Sequence, residues 1–586
     1  MLRANVNRGR KRAFCGDFSE AQVMIRGVAM EKFLSKNWVC CGLIGLFTIL
    51  IWGSTVGFEF VWDDSVLVVQ NTSIRSLRNL PEIFTSVNAQ SAELVPSFRP
   101  TRTAFYALLF ALVGKPAPQP WIFHLANVLW HALAAMLLFL VARLLCQRLA
   151  GVTPLAGRIT ALLIALGFAA HPVISEAVCW VKCLDDLMAA VFVLSALWFL
   201  LQWKEDVRGY VAVLVLYLIA VFSKESAVPM AVIAFLVFGG IHNFSWRRSA
   251  LFSIPFLMVA GLYVTYRHTV LGQSAQCAPI SGSYGQSLID MFPVVLQYWR
   301  LLWGIPPFCA DYDFMVGMPP HSIFSAAVLG GAFLVMLLGG LAAWLWRRPQ
   351  WRLCAFGLFW LGLFLLPVSN LLPMMQFMAE RFLYLPLMGF LLALGVALLH
   401  LSRFRPRLII GVAAVLIVIW TGTSLTRMGV WKDDLSLCFR TEFDHPGIAR
   451  VEHNAVVALF RLPQMKGWRM DKPLSAEHAE QIVTTLQRAR QIYPNNDQLT
   501  TQMGLTYAKM ERWPDAVAML ELAAQQNPAL AERWFNLASV YERIGETAKA
   551  REACAKALRL RPFFGKALHM KKQIEEDMKG ANIRRQ

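Results

Sequence analysis

Hydropathy along the chain changes character near residue 425. Before that point, apolar runs alternate with short polar connections. The runs cover 38–58, 123–145, 159–170, 187–203, 210–222, 227–241, 251–264, 324–346, 353–366, 382–401 and 408–425. Runs approaching about twenty apolar residues cross the hydrocarbon layer of a bilayer as helices, so the pattern predicts about eleven spans. Two short spans over 210–241 fit better than one long span, because merging them would put later basic connections on the wrong side.

After residue 480 a different period takes over. Pro494, Pro528 and Pro562 recur every 34 residues, as do Tyr507 and Tyr541, Ala516 and Ala550, and Ala489, Ala523 and Ala557. A 34-residue unit with small Ala positions, Tyr and a closing Pro is the tetratricopeptide pattern, a pair of helices stacked on its neighbours. Two units are clean, a degenerate one interrupted around 462–476 is expected before them, and 566–578 reads as a polar capping helix. The fold class is therefore all-α: a polytopic helical membrane domain followed by a tetratricopeptide-repeat α-solenoid. Its expected parts are a basic tail over 1–36, the membrane domain over 37–426, a linker over 427–448, repeats over 449–565, and a cap and tail over 566–586. Met30 offers a second start.

Composition agrees, with 57% hydrophobic and 16% charged residues and mean hydropathy +0.48; soluble chains carry about 25% charged residues. The net charge of +19 would point to nucleic acid in a soluble protein. Here much of the excess sits in short connections: Arg143, Arg148 and Arg158; Lys204 and Arg208; Arg247 and Arg248; Arg347, Arg348 and Arg352; and Arg403, Arg405 and Arg407. These alternate connections are expected on the cytoplasmic side. The N-terminus then starts inside, and an odd number of spans leaves the repeats on the opposite, periplasmic or lumenal face, with a bacterial inner membrane as the expected site. The eleven cysteines form no C-x-x-C pair. Cys277 and Cys309 share one expected exterior loop, where a disulfide is open.

The other set of connections carries four polar patches: Asp63-Asp64, the stretch 171–186, Lys224-Glu225 and Glu380-Arg381. Ionisable groups at the edge of hydrocarbon are costly to keep and mark function. Adjacent carboxylates beside aromatic surface suit a general base, although Trp431-Lys432-Asp433-Asp434 has the same look and reads as a helix cap. Cations at an interface hold phosphate oxygens, Arg in bidentate fashion. No ligand spacing marks a metal site, no Walker motif or dinucleotide fingerprint is present, and a divalent metal is left open.

Several motifs, in order, carry a resemblance. They are Phe60-Val61-Trp62-Asp63-Asp64, Phe98-Arg99-Pro100, His124-Leu125-Ala126-Asn127 with His131, and His171-Pro172 through Glu176-Ala177-Val178 and Trp180. Ser223-Lys224-Glu225-Ser226, Asp311-Tyr312-Asp313, Pro367-Val368-Ser369-Asn370 and Ala379-Glu380-Arg381-Phe382-Leu383-Tyr384-Leu385-Pro386 follow. From about residue 38 to 570 the chain resembles the transmembrane and tetratricopeptide-repeat protein O-mannosyltransferases and their bacterial relatives, of the GT-C class of membrane glycosyltransferases. The resemblance implies inverting transfer of a mannose-like sugar from a polyprenyl-phosphate donor to a protein or glycan hydroxyl on the non-cytoplasmic face. It makes Asp63 or Asp64 the base, and places Lys224, Arg381, Arg99, His171 and Lys182 toward the donor phosphate. Glu176, Glu225, Glu380 and Asp186 support them, and the repeats bind the acceptor or a partner. Where the family commonly has Gly-Arg-x-Asp, this chain has Cys183-Leu184-Asp185-Asp186, and Lys182 is the nearby cation. The alternative is a non-catalytic membrane-anchored repeat scaffold for envelope assembly.

Overall fold

The structure, a computed structural model, describes residues 35–91, 97–113, 116–149, 152–272, 283–312, 321–371, 376–403, 405–434 and 497–560, with scattered positions among 281, 374, 436–441, 480–490 and 567–574. The N-terminal tail before Ser35, Cys277, Asp313, Ala489, Pro494, Pro562 and the interrupted repeat around 462–476 lie outside them. The chain divides into two compact units, Met1–Asp433 and Asp434–Gln586.

In the first unit every regular element among the described residues is a helix: α1 (Asn37–Trp52), α2 (Leu80–Thr85), α3 (Pro100–Val113), α4 (Pro120–Cys146), α5 (Pro154–Ala170), α6 (Ser175–Cys179), α7 (Leu184–Gln202), α8 (Val207–Ser223), α9 (Met230–Gly240), α10 (Trp246–Leu271), α11 (Tyr284–Leu302), α12 (Ala326–Trp346), α13 (Arg352–Leu365), α14 (Tyr384–Ser402) and α15 (Pro406–Met428), joined by short 3-10 turns. Local chemistry sets their starts. Thr153 accepts from the amide of Ala156 and Asp206 from that of Gly209, while Ser283 and Ser325 cap α11 and α12; each satisfies a first-turn N–H that has no partner within the helix.

Among the described residues eight helices are long and apolar enough to cross a membrane, or nine if α5 and the segment Pro172–Cys179, bent by 49°, form one broken span. All eleven expected runs are helical. Three of them, at α5, α8 and α9, stop short of a full crossing, because polar turns at their ends cut each off. Val207–Ser223 and Met230–Gly240 are separate helices broken at Lys224. The pattern did not foresee α3, a short apolar helix, or α11. The latter carries Gln286, Asp290 and Arg300 and an internal Pro293, and its amphipathic pattern fell within an expected loop. Nor does the first unit stop at 426: α15 runs to Met428 and a 3-10 turn to Trp431, which is fully buried. Burying that indole moves the boundary beyond the expected start of the linker.

Two helices, α7 and α14, form the centre, with 78% and 72% of their apolar windows buried, against 17% for α12 and α15 at the periphery. Helices α13 and α14 approach most closely where two glycines face each other. A Cβ on Gly357 would meet the Gly389 carbonyl oxygen at 2.6 Å, and one on Gly389 would meet the Gly357 oxygen at 2.6 Å. In a membrane, where burial of apolar surface does not drive helix association, such small-residue contacts supply the packing.

The second unit contains α16 (Asp497–Lys509), α17 (Trp513–Gln526), α18 (Ala531–Arg543) and α19 (Thr547–Leu560). The repeated positions do what the period predicts: Ala516, Ala523, Ala550 and Ala557 are buried between helices, and Tyr507 and Tyr541 fill the gaps beside them. Ala567, Met570 and Ile574 of the expected cap pack on the same core.

Candidate active site

The connections divide cleanly between the two ends of the membrane bundle. At one end Arg158 donates to Asn37 (2.8 Å), Arg148 to the Leu201 carbonyl (2.5 Å) and Arg248 to Glu205 (2.6 Å). At the other, the four acidic and basic patches meet, although their bonded partners lie between 38 and 205 residues apart in the chain.

Residues 60–64 leave α1 in a turn. Trp62 has a positive φ of 48°, a conformation costly for a bulky side chain that persists only where its surroundings enforce it. Its indole is held edge-on to Trp180 and Trp431, with centroids 5.3 and 5.9 Å away, and those two rings stack on each other at 5.7 Å. The two carboxylates after it differ sharply. Asp64 is fully buried; its oxygens accept from the amides of Val61 (3.1 Å) and Lys182 (2.9 Å), tying the turn to the 171–186 stretch. Asp63 is about half exposed and receives Lys182 Nζ at 2.5 Å. Of the two expected bases, only Asp63 has a solvent-accessible carboxylate.

The stretch 171–186 is two broken turns pinned from below by α4. Asn127 donates to the carbonyls of Val178 (3.2 Å) and Trp180 (2.9 Å), and the Tyr106 hydroxyl to Val181 (2.8 Å). His131 bonds Tyr384 (2.8 Å) and His124 the Glu59 carbonyl (3.2 Å). The polar residues of α3 and α4 thus hold loops in place. His171 does the same, with one ring nitrogen on the Leu302 carbonyl (3.1 Å) and the other accepting from Val173 N (3.3 Å) in full burial. With both nitrogens taken by backbone, its imidazole does not face a phosphate, contrary to the expectation for it.

Trp180 organises the cations. Lys182 lies over its ring at 4.5 Å and Arg381 at 5.4 Å. Buried Glu176 receives Arg381 twice, through its side chain and through its backbone amide (2.8 Å), and Gln376 takes a further guanidinium N–H. Next to this group, Lys224 bonds Asp186 and lies 3.3 Å from Asp185, which also receives Arg99 and Arg102; Arg99 reaches on to Glu225 at 3.0 Å. Arg381 is within electrostatic reach of Asp186, linking the two groups. Glu380 faces elsewhere: one oxygen accepts from Cys309 N (2.6 Å), Tyr312 (3.1 Å) and Arg427 (3.2 Å). Cys309 itself is a buried free thiol on the Asp311 carbonyl.

Asp63, Lys182, Glu176 and Arg381 therefore gather around one indole, with Lys224, Asp186, Arg99 and Glu225 alongside. Sequence reasoning missed Asp185, the hub of three cations, and Arg102 and Arg427. Arg102 follows Arg99 by three residues on the first turn of a helix that had not been recognised, and Arg427 lies just past the expected end of the last span. Leu184, at the family's arginine position, is fully buried. Among the described residues no group of three or more His, Cys, Asp or Glu is gathered as a metal site needs.

This arrangement offers an accessible carboxylate beside cations in a low-dielectric setting, which suits proton removal from a hydroxyl and support of an anionic leaving group. The tetratricopeptide repeat family matches residues 531–564. Protein O-mannosyl-transferase TMTC4 of Homo sapiens is 27% identical over 70% of this chain and 62% of its own. Protein O-mannosyl-transferase F38B6.6 of Caenorhabditis elegans is 24% identical over 68% and 57%, and Tmtc2 of Drosophila melanogaster 30% over 34% and 21%. The chain spans about three-fifths of the length of the curated relatives it matches first. Among solved structures, YrrB, a TPR protein with an unusual peptide-binding site, is 19% identical over 27% of this chain and 75% of its own, with TM-score 0.20. The chain is thus a multi-helix membrane and tetratricopeptide-repeat protein related in sequence to the protein O-mannosyl-transferases.

Proposed function

We propose that the protein is an inverting membrane glycosyltransferase that moves a mannose-like sugar from a polyprenyl-phosphate donor to a protein or glycan hydroxyl on the non-cytoplasmic face. The observation that carries this reading is the half-exposed Asp63 carboxylate held by Lys182 beside Arg381. Asp63 accepts the proton of the acceptor hydroxyl as its oxygen bonds the anomeric carbon. The bond from that carbon to the phosphate oxygen breaks, and the lipid phosphate leaves with the electron pair and one more negative charge. A single displacement inverts the centre. Arg381, Lys182 and Lys224 stabilise the departing charge, while Glu176 and Asp186 hold those cations in place. The repeats bind the acceptor or a partner.

One observation favours the scaffold alternative: Arg381, Lys182, Lys224 and Arg99 are each already paired with a carboxylate. Reconstitution with a polyprenyl-phosphoryl mannose and an acceptor peptide pool separates the two readings. Transfer by the wild type that is lost in Asp63→Asn supports the enzyme. Absence of transfer with intact binding of the peptides supports the scaffold.

A further inference from the structure

At the basic end of the bundle, away from the candidate site, α1, α4 and α5 pack against one another. The start of α5 sits close on the end of α4: a Cβ on Gly157 would meet the Cβ of Cys146 at 3.3 Å. That approach brings Arg143, in the last turn of α4, within electrostatic reach of Arg158, in the second turn of α5. Arg158 in turn donates to the Asn37 side chain, at the start of α1, at 2.8 Å. Two arginines thus share one junction of three helices.

No carboxylate balances these two charges. The other titratable groups reaching Arg143 are the thiols of Cys41 and Cys40, and neither arginine forms an ion pair among the described residues. The Arg143 Nε is buried without a hydrogen-bond partner. A buried donor left open costs the desolvation of that group, so a partner from outside the chain is called for. The N-terminus of α1 adds to the same field. Lys36 at its cap makes no side-chain bond to the first-turn amides, and the positive end of the helix dipole lies there. Other cations of the bundle are treated differently. Arg99, Lys182, Lys224 and Arg381 each meet a carboxylate, as does Arg248 at this same end. Arg247, Arg347 and Arg348 are exposed, where water solvates them.

The surroundings select the kind of anion. Leu43, Leu46 and Leu50 of α1 are exposed on its outer face, and the first of them lies within two turns of Asn37. Trp38 is exposed as well, with the Lys36 ammonium 5.8 Å from its ring centroid, a pairing suited to the headgroup layer of a bilayer. We infer that the junction of α1, α4 and α5 binds the phosphate of an anionic glycerophospholipid between Arg143 and Arg158, with its acyl chains along α1. Basic pockets between membrane helices take such headgroups, and Arg holds phosphate in bidentate fashion. A lipid seated there ties together three helices whose far ends build the candidate site: α1 leads to Asp63, α4 pins the 171–186 turns, and α5 enters them. The inference concerns the opposite end of the bundle and stands apart from the transferase reading.

The test uses the full-length protein in detergent micelles, with phosphatidylglycerol as the probe and native mass spectrometry as the readout. Phosphatidylglycerol should be retained under conditions that strip phosphatidylcholine, and inorganic phosphate at equal concentration should not displace it. Arg143→Gln combined with Arg158→Gln should weaken retention several-fold. Arg347→Gln combined with Arg348→Gln, which removes two exposed cations from the same end, should leave it unchanged. Equal retention of the two lipids, equal loss in the two double variants, or displacement by inorganic phosphate overturns the site. The wild type gives an answer even where the first double variant fails to fold. Phosphatidylglycerol carrying a diazirine near its headgroup should label peptides covering 36–46 and 140–148. Label spread evenly over all the basic connections, or confined to others, overturns the assignment.

Discussion

Asp63 and Asp64 are neighbours in sequence with opposite surroundings. Both oxygens of Asp64 accept backbone N–H groups in full burial. In Asp64→Asn, an amide N–H would face one of those donors, so a loss of about 2 kcal/mol is expected from charge-assisted bonds of this kind. It should be read as a lower melting temperature with or without substrate. Asp63→Asn should leave the melting temperature near wild type and reduce sugar transfer by roughly 10² to 10⁴-fold, the range of general-base catalysis. Similar melting and turnover in both variants would remove the distinction. Glu176→Gln tests the other half of the cluster. It leaves the buried Arg381 guanidinium without its charge partner, a defect of about 3–5 kcal/mol. Unchanged thermal stability of the purified variant would mean that this pair does not hold Arg381.

At the scale of elements, the close approach of α13 and α14 and the pinned turn above α4 position these residues. Gly389→Leu places a side chain against the Gly357 carbonyl, with backbone rather than a yielding side chain in the way. Overpacking of this kind costs about 1–3 kcal/mol, and because α14 begins just after Arg381, donor affinity should fall along with the melting temperature. Gly362→Leu, on the same helix pair with open space around its Cβ, is the control and should change neither. Asn127→Ala removes both bonds holding the Val178 and Trp180 carbonyls. Faster hydrogen exchange in peptides covering 171–186 is the expected result, and unchanged exchange would show that other contacts suffice. The helices themselves were legible because apolar length and caps are local. The amphipathic α11 and short α3 were not, since a helix lying among neighbours needs no full apolar run.

For the whole molecule, the separation of basic ends from acidic and basic patches gives a topology to measure. With the N-terminus inside, protease added to spheroplasts should digest the repeats and spare Arg247-Arg248 and Arg347-Arg348; protection of the repeats would invert the arrangement. Charge placement made the gathering of the patches readable. The partners within the gathering were not. Nothing in the spacing assigns Lys182 to Asp63, Arg381 to Glu176, or Asp185 to three cations, because each pair joins segments brought together by helix packing.

By itself, the sequence determined the class of the molecule. Hydropathy runs make membrane helices and a 34-residue period makes stacked helix pairs, since both follow from local spacing and the need to bury one face. Only the tertiary structure decided which carboxylate remains accessible. Exposure is a property of what surrounds a side chain, and the surroundings of Asp63 and Asp64 are set by α4, the turn at Trp180 and the end of α15.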